Sequence, residues 1–336
     1  MQKDLSYVLT ETMVRKAVKD FGDSPKRSLR NIVDMAVNFS NGRFQKHFFE
    51  TTQTMLKNQE SSYYDLFENI FNNIDTERII TLGMNIGYNS CTRGAATIRG
   101  IESEKKFNIP WAAHMEVSEK RLNKNKDTYL SLFEQGQKLG IYTWIIFTDA
   151  NPEDIYVFAK SYPDIAFIFV VYPEKITDSR LELAKGINNV MYAVIYSHGA
   201  EQACQILKNK TMPYSVLIPY NSNNIDQVIN EIETKKIEAL QPIITALLPD
   251  HDCDECTQEK MYNFIKNGRK AQTSKTILWE TMKDSNFVDS IISDDSCFLW
   301  IDSNGDLYNF DGQCISEKLN VFESTFENVL RQAFPK

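Results

Sequence analysis

Between residues 79 and 247 the chain repeats one pattern: a short run of β-branched or aromatic residues, a polar or amphipathic helical stretch, then another run. The runs fall at 79–86, 108–117, 142–148, 166–172, 190–196, 214–220 and about 239–247, and their middles are roughly 23–32 residues apart. Strands that are apolar almost throughout, joined by helical crossovers, predict a parallel sheet covered on both faces. Six or seven such units in succession favour an α/β fold of the TIM-like (β/α) barrel type, partial or closed, over an open doubly wound sheet. The first strand-to-helix turn holds Gly83-Met84-Asn85-Ile86-Gly87. It lacks the Gly-x-Gly-x-x-Gly spacing and the acidic residue about 20 positions on that a dinucleotide site needs.

Upstream, residues 1–77 contain no convincing strand. Leu29, Ile32, Val33, Ala36 and Val37 share one helical face. After Asn41-Gly42 the spacing recurs at Phe44, Phe48, Phe49, Thr52, Met55 and Leu56, and again from Tyr63 to Ile74. A helical N-terminal cap is therefore expected over 1–77 and a barrel over 78–250. A C-terminal region follows over 251–336, with helices at 258–266, 276–284 and 322–334. Its centre is a β-hairpin at 297–310, two alternating strands around Ser303-Asn304-Gly305-Asp306.

A net charge of −8 gives no global reason to expect nucleic acid as a partner. The local exception is Arg15, Lys16, Lys19, Lys26, Arg27 and Arg30, a solvated helix face or a docking patch for an acidic partner. No apolar run approaches the roughly 20 residues of a bilayer span, so no membrane is expected. The start Met1-Gln2-Lys3-Asp4 has no continuous apolar core behind it. A cytoplasmic location follows as the expectation, with the six cysteines as reduced thiols.

In a parallel barrel, ligand-binding groups gather at the carboxyl ends of strands. Reading those ends gives a candidate binding mouth of Asn85, Asn89, His114, Glu116, Asp149, Tyr196 and His198. His114 and Glu116, two apart on one strand, point to the same side. With Asp149 and His198 they are the parts of a metal-assisted barrel hydrolase or isomerase. His251-Asp252-Cys253-Asp254-Glu255-Cys256 holds the chain's close-spaced thiol pair, which Cys297 and Cys314 would complete to a four-sulfur site for zinc or iron–sulfur. Its acidic neighbours work against thiolate formation. Cys91 and Cys204 stand alone and read as packing residues.

Three phrases together resemble the radical SAM enzymes that carry a SPASM-type C-terminal domain. Thr81–Ser90 is similar to the family's second strand, where a Gly-Gly-Glu-Pro phrase contacts S-adenosylmethionine. Gly140–Asp149 is similar to a later strand of that family. The hairpin Cys297–Phe310 resembles the one that opens the SPASM domain, in which a phrase such as Gly-Asp-Val-Tyr-Pro-Cys ends on a ligand of an auxiliary cluster. In this chain Gly305-Asp306-Leu307-Tyr308-Asn309 runs into Phe310, and Gly87-Tyr88-Asn89-Ser90 has neither the acid nor the proline. The family's Cys-x-x-x-Cys-x-x-Cys loop is expected before residue 78, yet residues 1–90 contain no cysteine. The resemblance spans roughly 78–330. It implies a scaffold without the reactive [4Fe–4S] cluster, its catalytic residues absent. By the same resemblance, the chain would be an accessory protein that binds a precursor peptide or pairs with an active radical SAM maturase.

Overall fold

The computed structural model describes residues 5–21, 24–40, 42–293 and 295–336, with only the backbone of Phe39 and Arg43. Met1–Asp4, where a leader would begin, and Asn41, at the expected helix break, lie outside these residues. The N-terminal periodicity becomes α1 (Leu5–Lys19), α2 (Pro25–Phe39), α3 (Arg43–Met55) and α4 (Tyr63–Asn73). Phe21, Leu29, Val33, Leu56 and Tyr64 bury a small core of their own among these helices.

The expected strand at 79–86 is helical. Asp75 accepts hydrogen bonds from the N–H groups of Glu77 and Arg78 and starts α5 (Thr76–Gly83), which runs through a π-helical stretch, Met84–Gly94, into α6 (Ala95–Lys105). The side-chain oxygen at the N-cap satisfies donors that a helix start leaves open. β-branched Ile79, Ile80 and Thr81 read as strand locally, and this cap together with distant packing overrides them.

The alternation then begins in earnest: β1 (Ala112–Val117), α7 (Glu119–Leu139), β2 (Thr143–Thr148), α8 (Pro152–Ser161), β3 (Ala166–Val171) and the short α9 (Asp178–Glu182). It continues with β4 (Val190–Ile195), α10 (Ala200–Asn209), β5 (Tyr214–Tyr220), α11 (Ile225–Glu233), β6 (Ile244–Pro249) and α12 (Glu255–Ala271). Two elements differ from expectation. β6 starts late because Gln241, in the left-handed region at φ 57°, and Pro242 end a short turn first. The supposed helix at 276–284 splits into β7 (Ile277–Glu280) and α13 (Thr281–Ile292), with Glu280 as the N-cap. After β8 (Trp300–Ile301) and β9 (Leu307–Tyr308), α14 (Phe326–Ala333) closes the chain.

Among the described residues nine strands form one sheet in the order β7-β6-β5-β4-β3-β2-β1-β8-β9. From β1 to β7 each strand lies parallel to the next in sequence, which is the winding of a (β/α) barrel. It is a partial barrel: β7 and β9 are its two edges, so the closed alternative does not hold. The hairpin joins the sheet through β8, which runs parallel to β1 with Trp300 opposite His114. Its turn is held by the Asp302 carboxylate, which accepts from the N–H groups of Asn304 and Asp306, with Gly305 at φ 92°.

Outside the sheet, the crossover helices bury the outward residues; Phe133 of α7 packs edge-on against Trp144 and Phe167 at 4.9 and 5.1 Å. One backbone contact locks the π-helical stretch to the end of α7. A Cβ added to Gly94 would lie 2.3 Å from the Gly140 carbonyl oxygen, and neither backbone moves without its helix. Gly94→Ala is therefore expected to lower the unfolding free energy by about 3 kcal/mol in urea titrations. Gly100→Ala, in α6 with open space around it, should instead raise it by about 0.5–1 kcal/mol.

Candidate functional site

The two ends of the barrel lumen differ, and they divide the residues expected to form one mouth. Asn85 and Asn89 sit at the amino ends of the strands. Asn85 donates to the carbonyls of Pro163 and Ile165, at 2.8 and 3.1 Å, and Asn89 to that of Asp164 at 3.0 Å. They satisfy the backbone just before β3, a structural task at the end opposite a barrel active site. At the carboxyl ends, Asp149 is exposed and its Oδ1 accepts the Glu119 N–H at 2.7 Å, capping α7. Tyr196 turns to the outer layer, beside Lys236, and His198 is exposed ahead of α10. Only His114 and Glu116 share the inner face of the lumen.

His114, Glu116, Asp149 and His198 therefore do not assemble. Among the described residues no three or more His, Cys, Asp or Glu gather so as to hold a metal ion. Cys253 and Cys256 lie between β6 and the first turn of α12, Cys297 is buried beside Asp289, and Cys314 is exposed next to β9. Burial, then the nearby Asp254 and Asp250, pushes the Cys253 thiol up to about 11.

Around His114 the lumen is aromatic. Its ring lies 4.7 Å from that of Phe298 and 5.7 Å from that of Trp300, stacked on the latter. Trp300 in turn meets Phe147 at 4.4 Å and donates its indole N–H to Glu116 at 3.1 Å. Phe310, where the resemblance expects a cluster ligand, packs edge-on against Phe298 at 6.3 Å. Burial pushes the His114 imidazole down to about 4, so the ring is neutral at physiological pH. Its Nδ1 is buried with no hydrogen-bond partner.

Beside this stack the inward residues of β1–β7, with α3, the π-helical stretch and α13, line a cavity of about 350 Å³. Sequence reading missed it because both faces of these strands are apolar. The signal was the absence of any charged residue within each of the strands β2, β3, β4, β5 and β6.

A second missed feature joins the ends of β5 and β7 on the outer face. Tyr220 donates to Glu280 at 2.7 Å and the Lys283 N–H to its other oxygen at 2.5 Å. Burial, reinforced by the Asp284 carboxylate, outweighs both bonds and pushes the Glu280 carboxyl up to about 7. Folding thus raises this pKa above its ordinary 4.5. The stability it contributes is fully present below the ordinary value and is lost as pH rises through about 7. Over that window the shift is worth about 3 kcal/mol. Urea midpoints of the native protein should fall across this range, and Glu280→Gln should flatten the profile.

No protein-family model and no curated protein sequence matches the chain. Among solved structures it is similar to Streptococcus suis SuiB bound to precursor peptide SuiA, with a TM-score of 0.51, 10% identity, and 70% of this chain and 67% of SuiB covered. A second structure of SuiB gives a TM-score of 0.50 at 10% identity over 70% of this chain and 68% of that one. The likeness is one of fold. The chain shares with SuiB a mostly parallel half-barrel sheet. Two parts of the resemblance are placed by it: Gly140–Asp149 contains β2, as a strand should, whereas Thr81–Ser90 is helical and the first strand comes at Ala112, after residue 78. No helix among the described residues is long and apolar enough to cross a membrane.

Proposed function

We propose that this chain is a non-catalytic accessory protein of peptide maturation, which binds a precursor peptide and delivers it to an active radical SAM enzyme. The observation that carries the reading is the fate of the thiol positions. A radical SAM cluster needs three cysteines on the loop after the first strand, and β1 passes into α7 through Ser118 alone. The six cysteines are scattered over the fold, and Phe310 has become part of an aromatic stack. The donor set does not fit an iron–sulfur cluster with an open iron, so no step through one is derived. The retained half-barrel, similar to a protein solved with its precursor peptide, supports a binding role.

The peptide side of this reading rests on the carboxyl-end mouth, where Glu116, Trp300 and the exposed Tyr172 offer one carboxylate and aromatic surface. Protein purified without air is expected to carry no stoichiometric iron or sulfide, and to form no 5′-deoxyadenosine from S-adenosylmethionine and reductant. It should co-elute in size-exclusion chromatography with a short peptide or radical SAM protein encoded beside its own gene. About four irons per chain together with 5′-deoxyadenosine would overturn the non-catalytic reading; absence of co-elution with either partner would overturn the accessory role.

A further inference from the structure

The lumen cavity has three properties that define what fits it. First, among the described residues no Asp, Glu, Lys or Arg lines it. Its walls are inward aliphatic side chains such as Ile145, Ile168, Met191, Leu217, Ile244 and Ile277. An ion placed there would have no counter-charge, and burying an unpaired charge is strongly unfavourable. His114, the one ionisable imidazole on the lining, is itself held neutral.

Second, the space is not filled by the chain's own side chains although the register would allow it. Ala193 faces Ser215, and Ala246 faces Leu217, across β4, β5 and β6. The volume of about 350 Å³ lies within the range of roughly 300–1,000 Å³ typical of small-molecule sites. It exceeds the ~150 Å³ of an apolar cavity known to stay dry and take up benzene.

Third, two lining side chains are left with buried polar atoms that have no hydrogen-bond partner: His114 Nδ1 and Thr281 Oγ1. Other polar lining groups are engaged within the chain; Gln45 donates to the Gly87 carbonyl and Thr143 to Ser90. Buried polar atoms without partners are uncommon in a native fold and call for an explanation. A hydroxyl both donates and accepts, so one such group on a ligand could serve either atom. Phe48 of α3, on the lining, is 51% exposed, an apolar way in from the surface.

We propose that the lumen of this half-barrel binds an uncharged aliphatic alcohol of medium chain length, its hydrocarbon part against the strand wall and its hydroxyl at His114. Binding at this lining does not depend on the accessory role. The neutral dye N-phenyl-1-naphthylamine serves as the probe, read by fluorescence with the full-length protein at neutral pH. Saturable binding is expected, and octanol should displace the dye at a concentration about tenfold lower than octanoate or octylamine. Ala246→Phe or Ser215→Leu should fill the space and weaken dye binding by about tenfold or more while leaving the circular dichroism spectrum unchanged. His114→Phe should keep dye binding and erase the preference for the alcohol. The proposal is overturned if the dye does not bind saturably, or if octanoate or octylamine displaces it as well as octanol does. The comparison of head groups uses the native protein, so it decides the matter even if a variant fails to fold.

Discussion

A parallel sheet has two apolar faces, and when it is wound in one direction, as here, its crossover helices cover only one of them. In a closed barrel the inner face covers itself. Here the sheet stops at β7 on one side and at the short hairpin on the other, so the inward rung His114–Ile145–Ile168–Met191 needs cover from outside the repeat. α3, the π-helical stretch and α13 supply it. This requirement explains why a helical segment that contributes no strand must precede β1. The exposed edge at β9 is only two residues long, which leaves little backbone for another chain to pair with.

Polar groups under this cover are mostly consumed by the backbone. Asn85 and Asn89 meet the carbonyls ahead of β3, and Asn189 donates to the carbonyls of Ala159, Tyr162 and Ile165 at 3.1, 3.0 and 2.9 Å. The Arg78 guanidinium donates to the Ile187 carbonyl at 2.8 Å. Parallel strands begin after turns whose carbonyls point into protein instead of water, and side-chain amides are suited to pair them. The polar residues that recur near strand ends are thus largely the fold's own fittings, and Asp149 as a helix cap belongs with them.

What was legible in the chain follows from the range of the forces involved. β2 to β5 are long β-branched or aromatic runs between helical stretches, and local pattern suffices for them. Thr76–Gly94 carries a similar local pattern, but its state is set by the Asp75 cap and by contacts with residues 163–165, far along the chain. β7 is four residues long and merges into the helix that follows, so periodicity could not separate the two. Of the candidate site, His114 and Glu116 share one face of β1, a consequence of strand alternation, which is local. The remaining members depended on which end of the barrel each segment reaches, which is decided by topology.

The lumen is chemically uneven. Near His114, Glu116 accepts from Trp300 and offers a carboxylate, whereas among the described residues no Asp, Glu, Lys or Arg lines the cavity. The carboxylate, ammonium and sulfonium of S-adenosylmethionine would each lack an opposite charge on that lining, and leaving a buried charge unpaired is strongly unfavourable. His114, part of the same lining, is held neutral by its burial and offers an ion no counter-charge.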